Sequence, residues 1–311
     1  MSYEIKKHVG IDKSTFEVAI SELNPRKVVG ISKDASLKEL VQLLTRENQG
    51  SVCVVETNVL IGIVSERDLF MNVDDDFDSY MLKKVEEVMT NRPVFKKMDD
   101  LVSDCLQLMG VRRIRSIPIV NDKGEATHLL TAHDILQFII NFFPESVEKI
   151  GTLYDWNVLE VHVQDENFSF KQVDGELLGN IFFSPLKNAV FSDLLKVDHN
   201  ELIQDVINKM KVDGKNMVAV TSYETELVGV LTERDLLKKV FGKVDLSGQT
   251  RVSQVMTASP VTLLEKHVLS YAINNMFAKN FRNIILVDEE RNPVSSISLI
   301  DIVKFFADKL Y

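Results

Sequence analysis

The chain has 311 residues, of which 45 % are hydrophobic and 26 % are charged, and its formal net charge is −10 at pH 7. This balance is typical of a soluble globular protein, and the length is sufficient for two domains. The negative charge disfavours nucleic acid or an anionic bilayer as partner, because either would be repelled unless the surface carried a dense basic patch.

The two cysteines, Cys53 and Cys105, lie inside apolar segments, which indicates buried thiols rather than a disulfide framework. The first residues lack the apolar core of a signal peptide. The longest strongly apolar stretch, at 135–143, is far shorter than the roughly 20 residues that cross a bilayer. We therefore expect a cytoplasmic protein that does not insert into membranes.

The first part of the chain predicts a unit with the order β-α-β-β-α. Ser36 is a suitable N-cap for its first helix, and a polar turn joins its two buried strands. In chain order the predicted elements are a strand at 27–31, a helix at 34–48, strands at 51–56 and 60–65, and a helix at 66–73.

The next part of the chain predicts the same order of elements. They are a strand at 93–97, a helix at 100–111, strands at 116–120 and 126–130, and a helix at 132–143. A unit of about sixty residues buries only one face of a three-stranded sheet, so it needs a partner. The closing helix is apolar nearly all round, which predicts burial against another repeat or another chain.

A Ser/Thr-x-x-Asp motif follows an apolar run four times, in "GIVSERD", "HLLTAHD", "GVLTERD" and "SSISLID". Asp68 and Asp134 are 66 residues apart, as are Asp235 and Asp301, and 167 residues separate Asp68 from Asp235. The chain is therefore predicted to be two copies of a two-repeat module.

The flanking segments match at the same shift of 167 residues. "VEEVMTNRPV" at 85–94 corresponds to "VSQVMTASPV" at 252–261, and "MGVRRIRSIPIV" at 109–120 corresponds to "MFAKNFRNIILV" at 276–287. The predicted organisation is a lead segment at 1–21, a first pair at 22–143 with repeats at 22–75 and 84–143, a linker at 144–180 with a short hairpin at 158–170, and a second pair at 181–311 with repeats at 181–242 and 250–308.

The motif has two physical interpretations, and the residues alone leave both open. In a capping box, the hydroxyl accepts from first-turn amides and the acid reaches back to the N-cap amide. Alternatively, the helix N-terminus and the hydroxyl bind a phosphate, while the carboxylate accepts from two ribose hydroxyls. Gly62 and Gly229 in the preceding strands would then let a flat base approach the backbone.

These segments resemble the CBS domain family. The resemblance rests on "VMTNRPV" and "VMTASPV" at repeat openings, "RSIPIV" in the middle, and "GIVSERD" and "GVLTERD" at repeat ends, and it covers about 22–143 and 181–308. It implies an α/β (α+β) fold with four β-α-β-β-α CBS repeats, paired sheet to sheet into two pseudo-twofold Bateman modules with two clefts each. It also implies a sensor of adenosine ligands rather than an enzyme.

The resemblance implies roles for the motif residues in binding such a ligand. The ribose acceptors would be Asp68, Asp134, Asp235 and Asp301, and the hydroxyls beside the phosphates would be Ser65, Thr131, Thr232 and Ser298. The phosphate ligands would be Arg115 and Arg282, with help from Arg113, Lys215, Arg67 or Arg234. The base would stack near Thr90, Pro93 and Val94 or near Thr257, Pro260 and Val261.

Two departures from the family pattern concern the fourth repeat. Its motif has Ser295 and Ser296 where a glycine would give room, and Ile285 replaces the proline that matches Pro118. We therefore expect the other three aspartates to be used before Asp301. The middle-strand arginines are equally compatible with a role as surface charges.

Other kinds of site have no support in the sequence. There is no phosphate-transfer loop, dinucleotide motif, His-Glu-x-x-His or Cys-x-x-Cys, and the six histidines lack metal-ligand spacing. The acidic run at 74–78 fits a solvated loop or a divalent-ion site. No metal is firmly implied.

We therefore predict a non-catalytic protein whose regulatory ligand is AMP, ADP or ATP, with S-adenosylmethionine or NAD as alternatives. Occupancy of the clefts would be transmitted to a regulated partner protein, and two modules would form a homodimer or an internal pseudo-dimer. The alternative function is a structural adaptor with empty clefts, in which the motifs are only helix caps.

Overall fold

The computed structural model describes residues 11–73, 77–141, 181–182, 184–189, 193–223, 225–241 and 249–311. The predicted linker and its hairpin, and residues 74–76 of the acidic run, lie outside these ranges. Among the described helices, none combines the length and hydrophobicity that a membrane span requires.

Nine α-helices occur in the described residues, and the first shows why they begin where they do. Ser36 accepts a hydrogen bond from the Glu39 amide at 3.2 Å, and the Glu39 carboxylate accepts from the Ser36 amide at 2.7 Å, as a capping box requires. The helices are α1 (Leu37–Arg46), α2 (Glu66–Asn72), α3 (Phe77–Leu82), α4 (Val102–Arg112), α5 (Ala132–Ile140), α6 (Ile203–Val212), α7 (Glu233–Asp235, continued by a π-helical turn, Leu236–Val240), α8 (Leu269–Lys279) and α9 (Leu299–Leu310).

The strands form four sheets, one for each repeat. They are β1 (Arg26–Lys27), β2 (Gly30–Ile31), β3 (Ser51–Glu56), β4 (Val59–Ser65), β5 (Thr90–Asn91), β6 (Ser116–Val120), β7 (Ala126–Thr131), β8 (Lys196–Asp198), β9 (Met217–Ser222), β10 (Glu226–Thr232), β11 (Thr257–Ala258), β12 (Thr262–Leu264), β13 (Asn283–Val287) and β14 (Pro293–Ser298). Their orders are β2-β3-β4-β5, β1-β7-β6, β8-β9-β10-β11 and β12-β13-β14.

The opening strand of one repeat crosses to the sheet of its partner repeat. In the first pair, β1 runs antiparallel to β7 of the second repeat, and β5 from the start of the second repeat runs antiparallel to β4 of the first. In the second pair, β11 joins β10 in the same way. The exchange ties the two repeats of a pair together through backbone hydrogen bonds.

The predicted strand at 93–97 is wrong as a strand, since only one parallel bridge, between Lys96 and Ile119, forms there. Pro93 has no amide hydrogen to donate, and Val94 and Phe95 are exposed, so the segment contributes little to a ladder. The two central strands of this repeat, β6 and β7, form as predicted.

The four repeats pack in a closed ring within one chain. Helices of the first and third repeats share one hydrophobic core, and helices of the second and fourth repeats share another. Within each pair the sheets face one another, and Ser51 donates to Ser116 across the first interface at 2.8 Å. The two modules therefore pack against each other within one chain.

The closing helix of the second repeat is buried, as its apolar sequence predicts. Ile135, Leu136 and Ile139 are fully buried in the core that α5 shares with α8 and α9. The part of the lead segment that is described also belongs to this core, where Phe16 and Ile20 are fully buried. The lead segment therefore completes the packing of the second and fourth repeats.

Candidate functional site

Each of the four motifs lies where a strand ends and a helix begins, and each forms a capping box. In the first, the Ser65 hydroxyl donates to Asp68 Oδ2 at 2.7 Å and the Ser65 amide donates to the same oxygen at 2.8 Å. The hydroxyl-to-carboxylate distances in the other three are 2.7 Å for Thr131–Asp134, 2.7 Å for Thr232–Asp235 and 2.5 Å for Ser298–Asp301. The capping interpretation is confirmed in all four repeats, but it uses only one carboxylate oxygen.

The second carboxylate oxygen distinguishes the first pair of repeats from the second. Asp235 Oδ1 accepts from Thr257 at 3.0 Å and lies 2.8 Å from Lys239 Nζ, and Asp301 Oδ1 accepts from Arg113 at 2.5 Å.

Asp68 and Asp134 differ from these two acids. Across the ranges that the structure describes, no side chain or amide donates to Oδ1 of either residue. Burial raises the pKa of the Asp68 carboxyl, partly opposed by its bonds to Ser65. These two acids each keep an acceptor that a bound hydroxyl could use.

A glycine and a methionine with the same spacing in both modules place the edge strands beside the motifs. A Cβ on Gly62 would lie 2.8 Å from Met89 Sδ. The side chain that approaches the backbone at this glycine is therefore the Met89 side chain. Gly229 meets Met256 in the same way. Thr90 then pairs with Ile63 in β4, close to the start of α2, and its side chain is exposed.

The residues predicted to contact the base follow these edge strands. Val94 is exposed, while Pro93, Pro260 and Val261 are half-buried. Lys215, predicted to help bind phosphate, donates instead to the Asp193 backbone oxygen at 2.7 Å. Contact of these side chains with a base or a phosphate stays a prediction.

Two buried glutamates that the sequence analysis missed lie next to the motif hydroxyls. Glu66, the residue after Ser65, is 4 % exposed. Its carboxylate is 3.5 Å from Arg234 Nε of the third repeat and is also bonded to the guanidinium of Arg282 of the fourth repeat. Gly50 makes room for this guanidinium, because a Cβ there would lie 2.7 Å from it.

Glu233 of the third repeat makes the equivalent contacts with two arginines of the first module. It is 3 % exposed, and its carboxylate is 3.2 Å from Arg67 Nη1 and 3.5 Å from Arg115 Nη1. Burial raises the pKa of the Glu233 carboxyl, and Glu233 Oε2 accepts no hydrogen bond from the described residues. The first and third repeats thus exchange reciprocal Arg–Glu pairs, with one further arginine from each of the other repeats.

These six residues form a central charge cluster in which all four repeats meet. Four arginines face two glutamates, a formal surplus of two positive charges. Burial also lowers the pKa of the Arg282 guanidinium. Four of the six predicted phosphate ligands are therefore brought together, but each of the four is already paired with an acid, and Arg113 and Lys215 lie outside the cluster. The members are Glu66, Arg67, Arg115, Glu233, Arg234 and Arg282.

The sequence does contain a signal for the two glutamates. Each follows the motif hydroxyl directly and precedes an arginine of opposite charge. Glu66 and Glu233 are related by the repeat shift, whereas Ala132 and Leu299 occupy this position in the second and fourth repeats. No cluster of three or more His, Cys, Asp or Glu residues that could hold a metal occurs within the described ranges.

Comparison with known proteins adds the family context. The sequence model described as "CBS domain" matches residues 20–75, 85–141, 187–242 and 252–308, which is most of the chain. The chain is 25 % identical over 295 residues to the CBS domain-containing protein CBSCBSPB5 of Arabidopsis thaliana, covering 92 % of this chain but 53 % of that protein. It thus spans about half the length of that relative.

Two archaeal proteins are similar in sequence or in fold. Protein MJ0188 of Methanocaldococcus jannaschii is 31 % identical over 181 residues, which cover 57 % of this chain and 62 % of that protein. The crystal structure of protein MJ1225 from the same organism superposes with a TM-score of 0.71 at 17 % identity, covering 93 % of this chain and all of that chain. The similarity to the MJ1225 structure shows that the two chains share a fold.

Proposed function

Since the chain belongs to the CBS domain family, we propose that it is a non-catalytic regulatory protein whose clefts bind an adenosine-containing ligand. The main support is the available oxygen of Asp68 and of Asp134, each beside the first turn of a helix. An ionised carboxylate oxygen can accept a hydrogen bond from a ribose hydroxyl while the other oxygen keeps the helix capped.

The same elements offer donors for the phosphate end of the ligand. The amides of the first helical turn and the positive end of the helix dipole favour an anion. The central charge cluster includes the two middle residues of the first and third motifs and has two more positive than negative charges. This supports AMP, ADP or ATP over an uncharged nucleoside, with S-adenosylmethionine and NAD as the alternatives.

Binding can be transmitted through the central charge cluster. A phosphate that bonds Arg282 or Arg115 competes with the buried carboxylate that each arginine now contacts. Because Glu66 and Glu233 bond arginines of other repeats, this competition changes the contacts between the two modules. A partner protein that prefers one arrangement would then sense the ligand.

A thermal-shift panel of AMP, ADP, ATP, S-adenosylmethionine and NAD tests this proposal. A ligand at a hundred times its dissociation constant adds about 2.7 kcal/mol to the free energy of unfolding. We expect one or more ligands to raise the melting temperature, and Asp68→Asn and Asp134→Asn each to reduce the shift. Asp122→Asn, which changes an exposed acid, is the matched control and should keep the full shift.

The structural adaptor is the second candidate, and the four capping boxes favour it because they explain the motifs without a ligand. A panel in which no compound shifts the melting temperature would support the adaptor and reject the sensor. In either case the free, buried thiols of Cys53 and Cys105 suit a reducing compartment, and we place the protein in the cytoplasm.

A further inference from the structure

The fourth motif is closed by an arginine from another repeat. The Asp301 side chain is 3 % exposed, and Arg113 Nη2 donates to its Oδ1 at 2.5 Å. We propose that Arg113 occupies the position of the ligand at the fourth motif and excludes adenosine compounds from Asp301, while Asp134 remains open. This inference rests on the proposed function, because it assigns which motif acids take part in binding.

Arg113 reaches Asp301 because α4 and α9 pack unusually close. A Cβ on Gly110 in α4 would lie 3.0 Å from Ala307 Cβ and 3.2 Å from Lys304 Cα in α9, so any larger residue would separate the helices. Arg113 is the first residue after α4 and has a left-handed backbone, φ 52°. This conformation ends the helix and lets the side chain turn towards the fourth repeat.

The equivalent position in the fourth repeat has no such cation. Asn280, at the repeat shift of 167 from Arg113, has nearly the same backbone, φ 53°, but a short neutral side chain. Phe277 replaces Gly110 at the same shift and stacks on His133 with ring centroids 5.5 Å apart. The second and fourth repeats therefore share one fold but differ at the contact that would cover Asp134.

A ribose would not easily displace Arg113. Its hydroxyls are neutral donors, so their bonds to the Asp301 carboxylate would lack the attraction of opposite charges that the Arg113 guanidinium supplies. Displacement would also leave the buried Asp301 carboxylate without its countercharge. Ligand binding at this motif would thus replace a strong interaction by a weaker one.

Lys239 at the third motif is a contrasting case. It contacts Asp235 within one helix, and the Asp235 side chain is 15 % exposed against 3 % for Asp301. Water therefore reaches this carboxylate, so the pair is weaker and a ligand can break it. At the repeat shift, Asn72 stands in its place and bonds the Asp68 backbone oxygen. The exclusion is thus specific to Arg113.

Isothermal titration of the full chain with AMP tests this inference through the number of sites. Arg113→Asn copies the residue that the fourth repeat carries, so the left-handed backbone is retained. We expect Arg113→Asn to bind one more AMP per chain than the wild type, and the added site to disappear in the double variant with Asp301→Asn. Arg112→Asn, which changes the exposed neighbouring arginine, is the matched control and should leave the number unchanged.

Two results would overturn the inference while leaving the proposed function intact. One is an unchanged site number in a folded Arg113→Asn variant, with folding checked by circular dichroism. The other is loss of one site when Asp301→Asn is made in the wild type, because Asp301 would then already bind. If neither the wild type nor Arg113→Asn binds AMP, both the inference and AMP binding by the proposed sensor are rejected.

Discussion

Replacing Glu66 by alanine should weaken the junction of the four repeats more than any change to a surface ion pair. Glu66 holds Arg234 and Arg282, which come from the third and fourth repeats. Its removal leaves two partly buried guanidinium groups without a countercharge, and they also repel one another. The effect should therefore appear as a loss of stability.

The expected size follows from burial. Removing one partner of a fully buried pair costs about 3–5 kcal/mol. Arg234 and Arg282 are 20 % and 21 % exposed, so water reaches them and reduces the loss to about 2–3 kcal/mol. Glu233 binds Arg67 and Arg115, which are 43 % and 30 % exposed, so Glu233→Ala should cost less, about 1–2 kcal/mol.

Urea unfolding of the full chain, followed by circular dichroism, measures these differences. Glu56→Ala is the control, because Glu56 pairs with Lys33 at the surface, and it should leave stability close to that of the wild type. A double-mutant cycle between Glu66→Ala and Arg282→Ala should show a coupling of at least 0.5 kcal/mol, roughly the lower limit for contacting residues. A Glu66→Ala variant as stable as Glu56→Ala would refute the account of the cluster.

Three further predictions concern packing and protonation. Gly110→Ala should lower the free energy of unfolding by about 1–3 kcal/mol, because the new methyl group crowds Ala307; an unchanged urea midpoint would contradict the close contact. Burial raises the pKa of the Cys53 and Cys105 thiols to about 12, so a thiol reagent at pH 8 should react with both only after unfolding. Burial raises the pKa of the Glu233 carboxyl above its ordinary value of 4.5. The wild type should therefore lose stability relative to Glu233→Gln as the pH rises from 4.5 through the raised pKa, because the buried carboxyl then loses its proton. A difference in unfolding free energy between the two proteins that stays constant over this pH range would refute the shift.

The sequence predicts the repeat units well because their signals are local. Apolar runs, turn residues and the hydroxyl–aspartate pairs lie within a few residues of the contacts they make, as in the box of Ser65 and Asp68. The predicted strand at 51–56 and the cap at Ser36 are confirmed to the residue. The exchange of β1 and β5 between sheets was not predicted, since two-residue strands carry almost no periodic signal.

The parts of the site that the sequence could not predict depend on contacts across repeats. The sequence predicts phosphate or solvent as the partner of Arg115 and Arg282, because local spacing does not show that Glu66 and Glu233 are buried beside them. Arg113 and Asp301 are 188 residues apart, and their contact depends on the close packing of two helices. The partners of these arginines therefore depend on residues that are distant in the sequence, which local motifs do not identify.

A crystal structure of the full chain grown with AMP tests the central claim most directly. The account predicts density for AMP beside Asp68 and Asp134, with ribose hydroxyls within hydrogen-bond distance of the carboxylate oxygen that the capping box leaves available. AMP bound with its ribose remote from both carboxylates, or side chains packed where the ribose should lie, would contradict it.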